Sequence, residues 1–565
     1  MNFPASTVVR VSFGLLALAA AFTGFFGLTE FSEVNLRDSP PSFFDLLYWD
    51  LQLFVFESGP VEEGEQAIPA MLQFARFVAP LVTVATVVDG ARLLFAAELR
   101  RIKARNASDH VVVCGSGAVA IALIERLRDT APHIVVISSA PTTAWADPAV
   151  LQVVGDARNP ATLRAAGVHQ ASTLYACEAD SATNTAIALA AHSVSRSGRH
   201  EPLSAYALIP DPDLCNALRA RRLSAPGKRR LRLDFFNLDE LAARVLLDQH
   251  PVRNDQPIVV IGLNAFGRSL LVEVARRRRL YPPPVRLPVT CIDTEASRAI
   301  AALCRRFEFI AETCDLTVHN VRPADLDVTR LLPDRTPQRV FVCYDDQDLA
   351  LKTALTSLRL WCCGPDSLVV RVEQTATFGR AFQDVQLLEG LSGTLRIFAI
   401  NEEAGDPRLI AEDIVETLAR AIHDNYVFER ISRHETTPAH TSAMLPWEDL
   451  PAYLQAANRS QAEDIGRKLA RIGCALAPRV EPDLDFTFKD HEIETLAAME
   501  HERWLNDLVG DGWTHGPVRD SSRKHHPDIR PWDDLSPRAQ EKDREIIRNL
   551  PALLSTAGFQ IVRVT

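Results

Sequence analysis

The feature that most constrains this chain is an uncharged apolar run at residues 11–29, VSFGLLALAAAFTGFFGLT. Its length matches the roughly 20 residues that an α-helix needs to cross the hydrocarbon core of a bilayer. A signal peptide is the alternative, because Arg10 provides a basic flank. Against it, no small-residue cleavage site follows cleanly, and a second apolar stretch extends from Pro69 to about Ala97. The sequence therefore predicts two membrane-spanning helices.

The charged residues around the two stretches predict their orientation. The loop between them is acidic, with Arg37 as its single basic residue, whereas basic residues cluster after the second stretch. By the positive-inside rule, both termini of this multi-pass protein face the cytoplasm, and we expect it in the cell inner membrane. The basic cluster consists of Arg92, Arg100, Arg101, Lys103 and Arg105.

A glycine-rich turn follows the membrane region. A short apolar strand (HVVVC) leads into residues 115–120 and then into an apolar-periodic helix, the context in which such a turn binds a dinucleotide. Gly115 and Gly117 allow a tight turn and close approach of a phosphate, and Ala120 takes the third glycine position. The second strand ends in Ser138 without an acidic residue to hold a ribose. Dinucleotide binding and a degenerate Rossmann unit used for assembly both remain open.

The strand–turn–helix pattern then repeats. A second apolar strand (PIVVIG) opens a helix through a turn in which Asn replaces the middle glycine, and the next strand ends in an acid. That acid lies at the distance expected for a ribose-hydroxyl contact. Two alternatives remain open for this unit: a site for NAD(H) or another nucleotide, and a Rossmann-type unit without a bound nucleotide. The candidate residues are Gly262, Asn264, Gly267 and Asp293.

A third apolar stretch, Phe43 to Phe56, lies between the predicted spans and is too short to cross, which suits a re-entrant or interfacial helix. With Leu47-Tyr48-Trp49 and the Rossmann-type units, this layout resembles two-span potassium channels with cytoplasmic RCK domains. The resemblance implies a homotetramer with a ring of eight such units. The chain departs from the family at the selectivity filter, where Phe56-Glu57-Ser58-Gly59-Pro60 stands, so potassium selectivity is not implied. Glu57 forms either an acidic ring favouring cations or part of a solvated loop.

The last 150 residues contain an internal repeat. Each copy predicts a pair of helices joined by a long loop, so we expect an all-α region. The parallels are Leu418–Tyr426 with Leu496–Trp504, Trp447 with Trp532, Arg459 with Arg544, and Gly473 with Gly558.

The second copy carries an extra loop at residues 512–526. Over about 70 residues it resembles the repeat domain of ryanodine receptors, on Glu500-His501, Trp504, Gly512-Trp513, Gly516, Arg519-Asp520, Lys524, Pro527 and Leu535. Aromatic faces and cations close together suit stacking on a base and pairing with a phosphate. The alternative is that both tryptophans fill the helical core and that Arg519 pairs with Asp520. The candidate ligand residues are Arg503, Trp504, Trp513, Arg519, Lys524 and His526.

These features predict a multidomain membrane protein with two transmembrane helices, two α/β Rossmann-type (RCK) domains and all-α ryanodine-receptor-like repeats. We expect a ligand-gated, channel-like tetramer; proteins joining this repeat to membrane spans resemble nucleotide-signal effectors of antiviral defence. A non-conducting membrane-tethered sensor is the alternative. We expect neither an enzyme nor a metal site, and a net charge of −11 disfavours nucleic acid as a partner. The expected domains are residues 1–107, 108–250, 251–405, 406–480 and 481–565.

Overall fold

The computed structural model describes most of the chain, and its contacts divide into two compact units, Met1–Lys103 and Ala104–Thr565. Within the basic cluster, the side chains of Arg92, Arg100 and Arg101 lie outside the described part. The described residues are 5–37, 39–57, 61, 68–141, 149–195, 202–224, 231–253, 256–279, 286–326, 328–331, 336–357, 360, 367–374, 395–412, 414–432, 442–480 and 486–564.

The first unit is helical in its described residues. Two of its helices contain windows, Phe13–Asn35 and Ala70–Val88, that are long and apolar enough to span a membrane. Only 22% and 28% of these windows is buried, whereas the core helix of a soluble protein is mostly buried. Between them lies a short helix whose start is fixed by reciprocal hydrogen bonds of Ser42 and Asp45. The helices are α1 (Ala5–Asn35), α2 (Phe43–Leu53) and α3 (Ala70–Asn106).

The second unit begins with a parallel sheet of six described strands in the order β3-β2-β1-β4-β5-β6. The central strands are fully buried, which explains their continuous apolar sequence, since helices cover both faces of such sheets. The strands are β1 (Val111–Cys114), β2 (Ile134–Ser138), β3 (Val150–Val154), β4 (Thr173–Ala176), β5 (Leu203–Leu208) and β6 (Leu231–Phe236). The helices are α4 (Ala118–Leu127), α5 (Pro160–Ala165), α6 (Ser181–Val194), α7 (Pro212–Leu223) and α8 (Leu238–Gln249).

A second sheet domain repeats this topology, with six described strands in the order β9-β8-β7-β10-β11-β12. The prediction of two Rossmann-type units is therefore confirmed. The strands are β7 (Ile258–Ile261), β8 (Leu287–Asp293), β9 (Cys314–Asn320), β10 (Arg339–Val342), β11 (Leu368–Val372) and β12 (Leu395–Ala399). The helices are α9 (Ala265–Arg278), α10 (Ala296–Arg306), α11 (Phe309–Thr313), α12 (Val328–Leu331), α13 (Gln347–Thr356), α14 (Ile400–Ala404) and α15 (Pro407–Ile410).

The C-terminal region is helical, as predicted, and its two copies make equivalent contacts. Arg459 binds Glu416 in the first copy, and Arg544 binds Glu494 in the second. Each copy also ends in a strand that the all-α prediction did not include, and these strands pair antiparallel. The elements are α16 (Ile414–Ser432), α17 (Ala452–Arg471), β13 (Cys474–Pro478), α18 (Asp490–Gly510), β14 (Thr514–His515), β15 (His525–His526), α19 (Pro537–Thr556) and β16 (Phe559–Arg563).

Candidate functional site

The first glycine-rich turn connects β1 to the amino terminus of α4. A Cβ atom at Gly115 would lie 2.8 Å from the carbonyl oxygen of Cys177, so the backbones approach too closely there for a side chain. Gly117 caps α4 without a side-chain hydrogen bond, and the space beside its Cα is open. Ala120 is buried where the helix packs on the sheet. The turn therefore leaves helix N–H groups accessible to an anion.

The sequence has no acidic residue at the end of β2 to bind a ribose. Two neutral side chains are hydrogen-bonded to each other there instead. The Nε2 atom of Gln152 donates to the Ser138 hydroxyl at 2.9 Å, and that hydroxyl donates to the carbonyl of Ala140 at 2.8 Å. These are hydrogen-bonding groups without charge, so the first turn offers phosphate contacts but no carboxylate at this strand end.

The second glycine-rich turn connects β7 to α9 and is held by its own side chains. Gly262 has φ +92°, a conformation that favours glycine, and a Cβ atom at Gly267 would lie 2.1 Å from the carbonyl oxygen of Gly262. The Oδ1 atom of Asn264 accepts from the amide of Gly267 at 2.8 Å. Asn264 therefore caps the helix in place of the missing middle glycine.

Asp293 lies beside this turn, as the spacing predicted. Its carboxylate accepts from the backbone amides of Leu263 at 2.8 Å and Glu295 at 3.1 Å. A carboxylate has about four acceptor positions. The structure thus brings Gly262, Asn264, Gly267 and Asp293 together and leaves Asp293 with acceptor capacity for a hydroxyl.

Two further residues at this turn were missed by sequence reasoning. The hydroxyl of Tyr344 is buried without a hydrogen-bond partner among the described residues, and burial, with the nearby charge of Asp293, raises the pKa of Tyr344 to about 12. Arg371 lies 3.3 Å from Asp345, which accepts from Asn264 at 2.6 Å. Because strand ends of a parallel sheet converge at one edge, residues distant in sequence meet here.

The loop of the second repeat copy brings three predicted ligand residues into one cluster. The ring of His526 lies 5.0 Å from Trp504 and 6.5 Å from Trp513, in edge-to-face arrangements, and both tryptophans are half-buried. The Nδ1 atom of His526 accepts from the amide of Asp528, which places the proton of the neutral ring on Nε2. Burial, with Arg519 and Lys542 nearby, lowers the pKa of His526.

The cationic side chains around this aromatic cluster differ in their exposure and in their bonding partners. Arg519 is exposed, and Asp520 forms its ion pair with Arg523 rather than with Arg519. Lys524 is exposed and donates to the carbonyl of Asp511 at 2.7 Å, so it also closes the loop. Arg503 is separate from these: it binds Glu500 at 2.5 Å and Asp507 at 2.7 Å, with its side chain 11% exposed. Its charge is thus compensated inside the repeat.

The predicted pore residue Glu57 follows α2 and is exposed. Its carboxylate accepts from the Nε2 atom of Gln52 at 2.8 Å. The next three positions of the filter region, residues 58–60, lie outside the described part of the chain.

Two parts of the chain match known domain families. Residues 111–220 match the TrkA-N domain, and residues 488–563 match the RyR domain. The first match covers most of the first sheet domain, and the second covers the second repeat copy with its aromatic cluster. No curated protein matches the sequence.

Solved structures show distant likeness. The crystal structure of the GsuK bound to ADP aligns at 16% identity and TM-score 0.37, over 72% of this chain and 97% of that chain. The GsuK channel bound to NAD aligns at 13% identity and TM-score 0.35, over 86% and 89%. The dipicolinate synthase A chain from Bacillus subtilis aligns at 10% identity and TM-score 0.22, over 59% and 99%.

Proposed function

We propose that this chain is a ligand-gated, channel-like protein of the inner membrane in which the RyR repeat senses a nucleotide-type ligand and the sheet domains transmit binding to the second membrane helix. Both termini are cytoplasmic, the assembly is a homotetramer, and the chain catalyses no reaction. An antiviral-defence role, with a nucleotide as the alarm signal, fits this arrangement.

The observation that carries the proposal is the continuity of α3. This single helix of 37 residues contains the apolar window Ala70–Val88 and ends at Asn106, and β1 of the first sheet domain begins at Val111. A continuous helix of this kind transmits a displacement of the sheet domain to the apolar window. A ligand that binds one state of the domain better than another then shifts the position of the helix.

The sensor is assigned to the cluster of Trp504, Trp513 and His526 with Arg519 and Lys524. Half-buried aromatic rings stack on a base, and exposed cations pair with phosphate. The second glycine-rich turn, with Asp293 at its strand end, is assigned to NAD(H) or another nucleotide.

A non-conducting, membrane-tethered sensor is the second candidate, and the filter region favours it. The carboxylate of Glu57 is bound to Gln52 of the same chain, and the sequence lacks a run whose carbonyls select potassium. In this case the output is partner binding or membrane disruption after assembly.

Ion flux into liposomes containing the purified full-length protein separates the two candidates. Cyclic and linear nucleotides are added in turn, and we expect one of them to start flux. Arg519→Ala removes an exposed cation from the sensor, so it should weaken nucleotide binding and raise the half-maximal concentration by roughly tenfold or more.

Arg298→Ala is the matched control, because Arg298 is 84% exposed and lies in the second sheet domain, away from the proposed sensor. It should leave flux unchanged. Nucleotide binding without flux under any condition would contradict the channel and support the tethered sensor. Equal responses of the two variants would contradict the assignment of Arg519.

A further inference from the structure

The strand order of the second sheet domain defines a crevice between β7 and β10. From β7 the chain continues to β8 and β9 on one side of the sheet, whereas β10, β11 and β12 lie on the other side. In open parallel sheets, ligands bind where the strand order reverses, outside the carboxyl ends of the two central strands. A ligand of this domain therefore meets the residues that follow β7 and β10.

A hydrogen bond between side chains crosses this crevice. Asn264 lies three residues beyond the end of β7, and Asp345 lies three residues beyond the end of β10. The Nδ2 atom of Asn264 donates to the Oδ1 atom of Asp345 at 2.6 Å. The two strand ends are therefore connected across the place where a ligand binds in such folds.

Arg371, near the carboxyl end of the neighbouring strand β11, holds Asp345 in this position. Its Nη2 atom lies 3.3 Å from the same Oδ1 atom, and its Nη1 atom donates to the backbone carbonyl of Asp345 at 3.1 Å. The side chain of Arg371 is 9% exposed, so the packing around it restricts where the guanidinium can lie. The side chains of Asn264, Asp345 and Arg371 are called the crevice bridge below.

Amides of the second glycine-rich turn already have acceptors within the chain. At the start of a helix, a bound phosphate accepts from backbone N–H groups. Here the amide of Gly267 donates to the Oδ1 atom of Asn264 at 2.8 Å, and the amide of Leu263 donates to Asp293 at 2.8 Å. A phosphate at these amides has to replace acceptors that the chain itself supplies.

The carboxylate of Asp345 also opposes a phosphate by its charge. The carboxylate accepts hydrogen bonds and donates none, and its side chain is 70% exposed. Like charges that face each other at a binding site weaken binding. A ligand with a phosphate therefore binds in the crevice more favourably once Asp345 has moved away.

The first sheet domain carries a glycine, an alanine and a leucine at the positions that match the crevice bridge. The register of the two sheets aligns β1, β4 and β5 with β7, β10 and β11. The alignment is consistent with the helix starts, because Asp180 caps α6 and Asp346 caps α13. Side chains of these three types cannot form the hydrogen bonds of the bridge. The matching positions are Gly117 for Asn264, Ala179 for Asp345 and Leu208 for Arg371.

We propose that the crevice bridge is an autoinhibitory contact: a dinucleotide binds in the second sheet domain only when the Asp345 carboxylate leaves the crevice. This regulation rests on the proposed assignment of the second glycine-rich turn to NAD(H). The fraction of molecules with an open bridge then sets the apparent affinity of the turn for its ligand.

Fluorescence titration of the purified full-length protein with NADH tests the bridge. Asp345→Ala removes both the acceptor of the hydrogen bond and the negative charge, so it should bind NADH roughly tenfold more tightly than the wild type. Asn264→Gly combined with Asp345→Ala gives the second turn the residues of the first and should also bind more tightly than the wild type.

Asp293→Asn shows whether the bound NADH lies in this crevice. The substitution removes the carboxylate assigned to the ribose while keeping an acceptor for the amide of Leu263. Alone and combined with Asp345→Ala, it should weaken NADH binding by roughly tenfold.

Asp315→Ala is the matched control. It removes an exposed carboxylate near the start of β9, whereas the crevice lies at the carboxyl ends of the strands. It should bind NADH like the wild type.

Three outcomes would contradict the proposal in different ways. Binding that Asp293→Asn weakens and Asp345→Ala does not strengthen would overturn the bridge and leave the assignment of the turn to NAD(H) standing. Tighter binding by Asp345→Ala that Asp293→Asn leaves unchanged would overturn the bridge, because the ligand then lies outside the crevice. Absence of NADH binding in the wild type and in every variant would overturn the assignment of the turn to NAD(H), and the bridge with it.

Discussion

At the scale of single residues, one carboxylate distinguishes the two repeat copies. His423 and His501 occupy equivalent positions, and the Nε2 atom of each lies 2.8 Å from a backbone carbonyl oxygen. His501 also lies 3.4 Å from Asp543, where the first copy has Asn458. Burial lowers the pKa of His423. At His501 burial acts in the same direction, but Asp543 and the carbonyl of Arg530 outweigh it and raise the pKa.

This difference predicts a pH-dependent effect of Asp543→Asn. The pKa of His501 is higher in the folded state than in the unfolded state, so protonation of His501 stabilises the fold. This stabilisation is fully present below about pH 6.5 and is lost as the pH rises through the folded-state pKa. The variant should therefore lose about 1–3 kcal/mol at pH 5.5 and less at pH 8.5. Thermal unfolding of the full-length protein, followed by tryptophan near-ultraviolet dichroism, measures the loss at both values.

Asn458→Asp in the first copy is the reciprocal control. It places a carboxylate at the equivalent position and should raise the pKa of His423, with stability gained at low pH. Equal losses for Asp543→Asn at pH 5.5 and 8.5 would show that the Asp543 contribution does not depend on the protonation of His501.

At the scale of elements, a buried ion pair joins the two repeat copies. Lys468 of α17 binds Glu500 of α18, and each side chain is 2% exposed. Asp464 lies 3.1 Å from Lys468, and Arg503 lies 2.5 Å from Glu500, so charges alternate along the contact. Although burial opposes ionisation, Lys468 and Arg503 hold the pKa of Glu500 below its ordinary value.

Lys468→Met should destabilise this contact strongly. The substitution leaves the buried Glu500 carboxylate with one cation fewer, and breaking a buried pair in this way costs about 3–5 kcal/mol. Lys542→Met is the control: Lys542 is 66% exposed and pairs with Asp528 at 3.5 Å, so its loss should cost less than about 1 kcal/mol. Unfolding midpoints in denaturant give both values, and similar small shifts would contradict a structural role for the buried pair.

The sequence predicted the elements better than their contacts. Both sheets could be predicted because apolar strands precede glycine-rich turns in the sequence. The helix pairs could be predicted because the two repeat copies have the same residue spacing. The pairing of β13 with β16 could not, because it joins five-residue segments far apart in the chain. Arg503 illustrates the same limit at the site: the sequence did not predict its ion pairs with Glu500 and Asp507, which lie on its own helix.

At the scale of the second unit, close backbone contacts lie both at α17 of the repeat region and at the end of α3. A Cβ atom at Gly466 of α17 would lie 1.8 Å from the carbonyl oxygen of Leu223, so α17 and α7 are in direct contact. Ala104, in the last turn of α3, is fully buried. Gly167 packs on this turn with φ +70°, and a Cβ atom there would lie 2.6 Å from the carbonyl oxygen of Ala104.

Because of these contacts, Gly167→Val tests whether ligand binding is transmitted to α3 through the first sheet domain. A β-branched residue at a positive φ is strained and collides with the last turn of α3, so it should loosen that turn without touching the sensor. We expect nucleotide affinity to change by less than about threefold, ligand-dependent flux to fall by roughly tenfold or more, and hydrogen exchange at residues 104–107 to accelerate. Gly510→Ala, where a Cβ atom has open space, should change none of these quantities. Faster exchange with undiminished flux would mean that ligand binding reaches the membrane helix by another route than its junction with the first sheet domain.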